Sequence, residues 1–349
     1  DTRILAVTGV TEDPEGQIVL SAIESALNSE TFVSGVFRIL TNGTLQRIAG
    51  GGAANATTPF ASGTAAVGAA MQGVGRPVFG PDGALYVVET RTQTTLALPY
   101  QPPYARVARI SSEGTIQTFA GGQAPPQVTF GGAPTYAVAA DGQVASGALL
   151  FPRDLAFGSD GLLYFIEAID DEVRIVDSQG RLATAASAAM LEAATGSPPT
   201  STPWSPDRLA FWQDRLIVAG TVRDSASLSE VRPDGTVVEL TAEAIDTALP
   251  ANGQALVHFR PRARVTGLGA FGDRLYFETA RSDLEEDENT GLWMTTGDDV
   301  VRLGGARSGA SRPFDAVPLS STGLYDGDPL YTMAVSSLAV TSSGLARCH

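Results

Sequence analysis

Two glutamates end nearly identical stretches of the sequence and are the first candidates for chemistry. Glu89 closes FGPDGALYVVE, and Glu167 closes FGSDGLLYFIE. Carboxylate oxygens are the ligands that a hard cation such as Ca²⁺ prefers in proteins. Glu278 stands near the corresponding place of a looser copy, but one residue early. A metal site at Glu89 and Glu167 is therefore weighed against the alternative that both are solvated carboxylates at loop edges.

An acidic loop offers a second set of oxygen ligands. The stretch SDLEEDENTG carries an oxygen-bearing side chain at every second position and ends in Gly291. This spacing is typical of the first half of a calcium-binding loop, but Thr295 stands near the place where a bidentate Glu is expected. A weak calcium site and a solvated acidic loop both stay open. The residues concerned are Asp283, Glu285, Asp287 and Asn289.

A positively charged strip stands out in a chain whose formal net charge is −15. Alternate residues of an extended chain point to the same side, so the HFRPRAR segment gathers its basic residues on one face. These residues are His258, Arg260, Arg262 and Arg264. Guanidinium groups bind anions through paired hydrogen bonds. The strip is a candidate site for an anion or an acidic partner; alternatively, it pairs with the chain's own carboxylates.

Other chemistries find little support in the sequence. The chain has 2 histidines, His258 and His349, so a three-histidine zinc site cannot form within one chain. No nucleophile-elbow pattern accompanies His258, and no Walker motif is present. The net charge argues against nucleic acid, whose phosphates are neutralised by Lys and Arg. No apolar run approaches the roughly 20 residues of a membrane helix, so membrane insertion is not expected either.

The elements that must position these residues come from a repeated unit. Each copy reads strand, tight turn, strand, loop, strand, tight turn, strand. Asp-Gly, Glu-Gly or Gln-Gly pairs at the turns tolerate the positive φ of a hairpin. Four short antiparallel strands repeated at a fixed period are typical of a β-propeller blade. Four complete blades are predicted near residues 77–122, 153–186, 207–241 and 265–305.

A further blade is predicted from both ends of the chain. Residues 3–51 supply three of its strands, and SSLAVTSSG at 336–344 resembles an innermost strand that would close the blade. GLARCH and RILAVTG would both fit one strand position of this blade. GLARCH is therefore either a tail or the start of a further part of the blade. Residues 13–29 predict a helix with Asp13 as N-cap, and residues 186–196 predict a second.

The repeated units resemble NHL repeats. The pieces that match the repeat pattern are PDGALYVVE, SDGLLYFIE, RVARIS, EVRIVD, GTIQTFAGG and GTLQRIAGG. The resemblance covers most of residues 36–186 well and 205–305 loosely. It implies a β-propeller, for which six blades are the family habit, whereas the strand count here favours five. Glu89 and Glu167 stand where the family often has Asp, and the likeness implies a fold more than an activity.

The sequence thus predicts one all-β domain over residues 1–349, a β-propeller of five or six four-stranded blades with one or two short inserted helices. The function that we favour is an NHL-type module that is secreted, periplasmic or at the cell surface and binds a protein or glycan partner through its loops without catalysis or cofactor. The first alternative is a calcium-dependent hydrolase, as in lactonases and esterases of related architecture that hold the metal in a central channel. The second is a self-associating subunit of a surface assembly or filament.

Overall fold

In a computed structural model of the chain, the regular secondary structure of the described residues is almost entirely β-strand. Helix is confined, among the residues it describes, to a short segment at 188–190. The structure describes residues 2–26, 32–52, 60–91, 104–123, 138–190, 204–222, 225–241, 254–255, 264–280, 291–295, 299–304, 337–341 and 344–348. No helix in these ranges is long and apolar enough to cross a membrane.

The chain forms two compact units, Asp1–Thr184 and Ala185–His349. The first unit contains three antiparallel sheets, which we call blades 1 to 3. Blade 1 consists of β1 (Thr2–Glu12), β2 (Ile18–Ala26), β3 (Phe32–Ile39) and β4 (Leu45–Gly50). Blade 2 consists of a two-residue outer strand β5 (Thr64–Ala65) and of β6 (Val74–Phe79), β7 (Leu85–Arg91), β8 (Tyr104–Ile110) and β9 (Thr115–Gly121). Blade 3 consists of β10 (Pro152–Phe157), β11 (Leu163–Glu167), β12 (Glu172–Val176) and β13 (Leu182–Ala186), whose end passes the unit boundary.

The second unit contains two further sheets, blades 4 and 5, and one separate hairpin. Blade 4 consists of β14 (Ser205–Trp212), β15 (Arg215–Val222), β16 (Ser225–Val231) and β17 (Val237–Glu239). Blade 5 consists of a two-residue outer strand β18 (Gln254–Ala255) and of β19 (Arg264–Phe271), β20 (Arg274–Ala280), β21 (Gly291–Thr295) and β22 (Asp299–Gly304). The hairpin pairs β23 (Ser337–Thr341) with β24 (Gly344–Cys348).

The strand order identifies the fold class. In each of the five sheets, four strands that follow one another along the chain pair antiparallel in sequence order. Such meanders, repeated, are the blades of a β-propeller. The prediction of an all-β propeller with five or six four-stranded blades is confirmed, and the number of blades is five. The strands of the four complete blades begin and end within a few residues of the predicted ranges.

The helix predicted over residues 13–29 was wrong. Residues Ile18–Ala26 form strand β2, which pairs with β1 on one side and β3 on the other. Val19 and Leu20 point to opposite faces of the blade, and both side chains are buried. Because both faces are covered, the apolar residues do not alternate with polar ones, and such a run cannot be told from a helix by periodicity alone. Asp13 caps the β1–β2 turn instead, accepting hydrogen bonds from the backbone N–H of Glu15 and Gln17.

The composite blade built from both chain ends was also wrong in its detail. Once β2 is counted, blade 1 takes all four strands from residues 2–50 and has no place for a strand from 336–344. That segment instead pairs with the following residues, so that Ser337 lies opposite Cys348. The second predicted helix has a helical start at 188–190, and the rest of it lies outside the described residues.

The hydrophobic core is divided among layers between neighbouring blades. Val36 of blade 1 packs with Val87 and Ile116 of blade 2 in one layer. Tyr86 of blade 2 packs with Phe165 of blade 3 in the next. In the second unit, a separate layer joins blades 4 and 5. Each blade within a unit is thus held by apolar contacts across its broad face, which is the arrangement that repeated sheets need to bury their surface.

The first strand of each blade is irregular. In two blades, a side chain at the irregular position contacts the next blade. Each of the five first strands has at least one register shift in its pairing with the second strand. At these shifts, Arg76 donates to the carbonyl of Leu155 at 3.1 Å and pairs with Asp154 at 3.2 Å. In the second unit, Arg208 donates to the carbonyl of Thr266 at 2.9 Å. Bulges of this kind re-aim side chains that a regular strand would point elsewhere.

Candidate functional site

Glu89 is buried and ion-paired at the end of β7. Its Oε2 lies 2.5 Å from Nε of Arg106, and its Oε1 accepts a hydrogen bond of 3.0 Å from the backbone N–H of Gln72. Arg106 is equally buried, and its guanidinium stacks 3.7 Å from the ring centre of Phe60. A buried carboxylate of this kind is stabilised by its paired cation and its backbone donor together. Within blade 2, Glu89 therefore holds the segment that precedes β6 against the end of β7.

Glu167 occupies the equivalent place in blade 3 but has a different set of partners. Both of its carboxylate oxygens accept hydrogen bonds from the backbone N–H of Phe151, at 2.9 and 3.1 Å. A second N–H, from Ile169, approaches Oε1 at 3.3 Å. The residue across from Glu167 on the next strand is Glu172, whereas Arg106 holds this place in blade 2.

The arginine of blade 3 stands two cross-strand pairs further along. Arg174 lies opposite Phe165 and is buried, but it bonds to the Asp141 carboxylate at 2.9 Å and to the Ala139 carbonyl at 3.1 Å. Glu172 lies 3.6 Å from the same guanidinium. The cation of this blade is thus engaged by two other carboxylates, and Glu167 is held by backbone N–H groups.

This difference changes the acidity of Glu167. Burial raises its pKa to about 7, because the charged form loses solvation. The hydrogen bonds from Phe151 and Ile169 favour the charged form, and the neighbouring carboxylate of Asp170 disfavours it. Burial also raises the pKa of Glu172. Glu167 is the described residue most like a functional acid, since a carboxyl group that titrates near neutrality is the kind found at active sites.

The segments that lead to Gln72 and Phe151 are themselves repeated, which the sequence reading missed. SGTAAVGA (62–69) and DGQVASGA (141–148) precede the first strands of blades 2 and 3 and make the same backbone bonds. Gly50 donates to the Ala66 carbonyl, and Gly121 donates to the Ala145 carbonyl. The sequence does show this repeat, as a shared Gly-x-x-Ala-x-Gly-Ala pattern within stretches that were interpreted as Gly- and Ala-rich loops.

The remaining blades do not repeat the acidic position. Glu278 is buried, one residue before the equivalent place, and accepts a hydrogen bond of 3.3 Å from the Thr266 hydroxyl. Thr279 holds the equivalent place and accepts a bond of 2.9 Å from the Trp293 indole. In blade 1, the sequence reading also missed a buried carboxylate, Glu24, which forms two hydrogen bonds with Arg47. Glu24, Glu89, Glu167 and Glu278 therefore each have a hydrogen-bond partner in their own blade or in the segment that enters it.

The other predicted site residues lie largely outside the described residues. Arg264 is the exposed first residue of β19 and pairs with Ala280, the last residue of β20. His258, Arg260 and Arg262 precede it, and the acidic residues Asp283, Glu285, Asp287 and Asn289 follow Ala280; none of these is described. Across the described ranges, no group of three or more His, Cys, Asp or Glu side chains could hold a metal ion. The metal site and the anion site stay predictions.

Solved structures with a similar fold exist at low sequence identity. A protein of unknown function from Bacteroides thetaiotaomicron is 11% identical, with 99% of this chain and 67% of that chain covered and a TM-score of 0.52. A gluconolactonase from Xanthomonas campestris is 12% identical, with 86% and 87% covered and a TM-score of 0.43. A catalytically inactive virginiamycin B lyase from Staphylococcus aureus, solved with quinupristin, is 13% identical, with 86% and 98% covered and a TM-score of 0.38.

No family model and no curated protein matches the chain. At these identities, the structural likeness supports the β-propeller fold and nothing about activity, because one propeller architecture carries many unrelated functions. Membership of the NHL family stays a prediction from the sequence.

Proposed function

We propose that the protein is a β-propeller binding module that acts through the loops at one end of its blades and performs no catalysis. The observation that carries this proposal is the environment of Glu89. Its two oxygens are directed at Arg106 and at the backbone N–H of Gln72, which is the arrangement of a carboxylate that stabilises a blade. A calcium ligand in a channel would instead direct its oxygens at the ion.

The topology favours one end of the blades as the binding surface. In a four-stranded meander, the connection between the second and third strands leaves from the same end as the connection to the next blade. In blade 2, β7 ends at Arg91 and β8 begins at Tyr104. In blade 5, β20 ends at Ala280 and β21 begins at Gly291. The opposite end has tight turns, so the long connections that suit partner recognition gather at one end.

In the sequence, one basic and one acidic segment adjoin this end of blade 5. Because Arg264 pairs with Ala280, the basic segment that ends at Arg264 and the acidic loop that follows Ala280 start from adjacent strand ends. Charged groups at a binding surface contribute specificity and association rate. We include in the proposal a protein or glycan partner at these loops, NHL membership, and a location outside the cytoplasm.

Thermal unfolding in the presence and absence of calcium tests the proposal against a metal-dependent hydrolase. The protein is stripped with EDTA and melted alone, with Ca²⁺ and with Mg²⁺. A ligand at 100 times its dissociation constant stabilises the native state by about 2.7 kcal/mol. We expect the three melting curves to coincide. A rise in Tm that Ca²⁺ produces and Mg²⁺ does not would overturn the non-catalytic assignment and direct attention to the acidic loop at 282–291.

A further inference from the structure

Seven tight turns among the described residues share one backbone geometry. In each, the N–H of the first residue donates to the carbonyl of the fifth, and a glycine at the fourth place donates to the carbonyl of the first. The glycine has a positive φ in all seven. These turns lie at 13–17, 40–44, 80–84, 111–115, 158–162, 177–181 and 232–236. The residue before the glycine is an acid or Gln in six of them, and it is Asn42 in the turn at 40–44.

Asn42 uses its side chain as an aspartate does at the same place of another turn. Its Oδ1 accepts hydrogen bonds from the backbone N–H of Thr44 at 3.0 Å and from the hydroxyl of Thr44 at 2.7 Å. In the turn at 232–236, Oδ1 of Asp234 accepts a bond of 2.9 Å from the N–H of Thr236. This bond lowers the pKa of Asp234, so the charged carboxylate fits the turn. Asn-Gly-Thr and Asp-Gly-Thr therefore make the same turn, and the two sequences differ by one amide.

The surroundings of Asn42 leave the Asn-Gly bond open to reaction. Residues 41–46 are all exposed. A Cβ atom on Gly43 would have no neighbour within 4 Å other than the adjoining residues, so the backbone nitrogen of Gly43 is not shielded on that side. Within the described ranges, Nδ2 of Asn42 has no hydrogen-bond partner, and its departure breaks no contact. A backbone nitrogen closes on an asparagine side chain most readily when the next residue is such an unhindered glycine.

We propose that Asn42 is a site of spontaneous deamidation, at which water and the protein's own backbone convert the Asn-Gly turn at 40–44 into an Asp-Gly turn. The backbone nitrogen of Gly43 attacks Cγ of Asn42, and the new N–C bond closes a five-membered imide. The Cγ–Nδ2 bond breaks, and Nδ2 leaves as ammonia with the proton from the N–H of Gly43. A water molecule then opens the imide at one of its two carbonyls, which gives aspartate or isoaspartate and adds one negative charge. This site is separate from the loops of the proposed function and does not depend on it.

The native turn slows this reaction without preventing it. The N–H of Gly43 donates to the carbonyl of Leu40 at 2.8 Å, and the nitrogen attacks only after this bond opens. The two bonds from Thr44 hold the side-chain amide in place and also have to loosen. Because the turn is the exposed tip of a hairpin, it opens without unfolding of the blade.

The turn also selects the product. Isoaspartate carries an extra methylene in the main chain, and a five-residue turn closed by two backbone bonds does not accommodate the longer path. Aspartate restores the turn, because its carboxylate accepts the N–H of Thr44 as Asp234 accepts that of Thr236. Since either product can slowly close the imide again, aspartate accumulates in the folded protein.

Peptide mapping by mass spectrometry tests the proposal. The full chain is incubated at mildly alkaline pH, folded in one sample and unfolded in urea in the other, and is then cleaved after arginine. This cleavage releases residues 39–47, ILTNGTLQR, in which Asn42 is the one asparagine. The second Asn-Gly pair of the sequence, Asn252 and Gly253, lies outside the described residues and falls in another fragment, 233–260.

The chain contains its own matched control. Gln179 holds the place of Asn42 in the turn at 177–181, where the N–H of Gly180 donates to the carbonyl of Asp177 at 2.9 Å. Its side chain is exposed and has one more methylene, so its imide would be a six-membered ring, which closes far more slowly. The same digest releases it in residues 175–181, IVDSQGR.

We expect the 39–47 fragment to convert in both samples, about tenfold more slowly in the folded protein, which is the factor that one or two turn hydrogen bonds supply. Aspartate should exceed isoaspartate in the folded sample, and isoaspartate should exceed aspartate in urea. The 175–181 fragment should stay unchanged in both. Asn42→Asp, which is the product, should melt at or above the Tm of the wild type.

Three results would overturn the proposal. The first is an unchanged 39–47 fragment in the folded protein after the urea sample has converted, since the turn would then protect Asn42. The second is isoaspartate as the main product in the folded protein, since the turn would then not select aspartate. The third is a sugar on Asn42 in protein from its natural source. Asn-Gly-Thr also matches the acceptor sequence for N-glycosylation, and a glycosylated Nδ2 cannot leave as ammonia.

Discussion

Glu167 lies directly across from Glu172 on the neighbouring strand, at the place where Glu89 of the preceding blade faces Arg106. Glu89 and Arg106 carry opposite charges, whereas Glu167 and Glu172 carry like charges. The four strands of the two blades nevertheless pair in the same order. Each glutamate also accepts the backbone N–H of the segment that enters its blade. The two blades therefore offer a comparison within one molecule, from which three predictions are argued.

Removing the charge of Glu167 should stabilise the protein at high pH. The pKa of Glu167 is raised from 4.5 to about 7, so between these values the folded protein binds a proton that the unfolded chain has lost. Stability from this group is present below about pH 4.5 and is lost as pH rises to 7. The loss is about 3 kcal/mol, from 1.36 kcal/mol per pKa unit. Urea unfolding of wild type and Glu167→Gln at pH 5 and pH 8 should show the variant gaining most of this amount relative to wild type between the two pH values.

Removing the charge of Glu89 should destabilise the protein at neutral pH. Glu89→Gln leaves the buried guanidinium of Arg106 without its counter-charge, and breaking a buried pair in this way costs about 3–5 kcal/mol. The exposed pair of Asp82 with Arg109 is the control, and Asp82→Asn should cost about 1 kcal/mol or less. Urea unfolding at pH 7 measures both. Equal costs for the two variants would contradict a buried ion pair.

Placing an arginine across from Glu167 should remove its pH dependence. Glu172→Arg gives blade 3 the charge arrangement of blade 2, in which a guanidinium faces the buried carboxylate. The nearby cation lowers the pKa of Glu167, because it favours the charged form. The stability difference between pH 5 and pH 8 should shrink toward that of Glu167→Gln. An unchanged pH dependence would show that burial alone sets the acidity.

A close backbone approach between blades 1 and 2 gives a prediction of a different kind. A Cβ atom on Gly9 would lie 2.3 Å from Cα of Arg76 and 2.9 Å from Cδ of Pro77. Gly9→Ala forces the backbones of the two strands apart and should destabilise the protein by about 1–3 kcal/mol or more. Gly75→Ala is the control, since its Cβ would meet Val88 at an ordinary 3.5 Å. Thermal unfolding should separate the two variants clearly, and equal Tm values would count against the close packing.

The sequence predicts the repeated hairpins well because tight turns and apolar strands are local signals. The Asp-Gly turns at Asp82 and Asp160 place their carboxylates on backbone N–H groups two residues later, as such turns do. Strand β2 was missed because its apolar residues serve two buried faces, and this lack of alternation depends on neighbours that are distant in sequence. The composite blade followed from that error, because without β2 the first blade lacks a strand.

The candidate site could be located from the sequence but not interpreted. Glu89 and Glu167 were found through their position in the repeat, and both lie at the strand ends as expected. Their burial and their partners depend on where Gln72 and Phe151 lie in space, which no local pattern gives. The exchange of Arg106 for Glu172 is visible in the sequence, but its effect on acidity emerges only when the two side chains are known to be buried and opposed.

The register shifts in the first strands have a consequence for how the repeats can be rearranged. Arg76 and Asp154 are three residues before Phe79 and Phe157, which pair alike in blades 2 and 3, so the two residues hold equivalent places. Their salt bridge is formed between consecutive copies of one position. A second copy of blade 2 inserted after the first would set arginine beside arginine, and a second blade 3 would set aspartate beside aspartate. The charges at this position therefore fix the order of blades 2 and 3, and the two repeats cannot be exchanged.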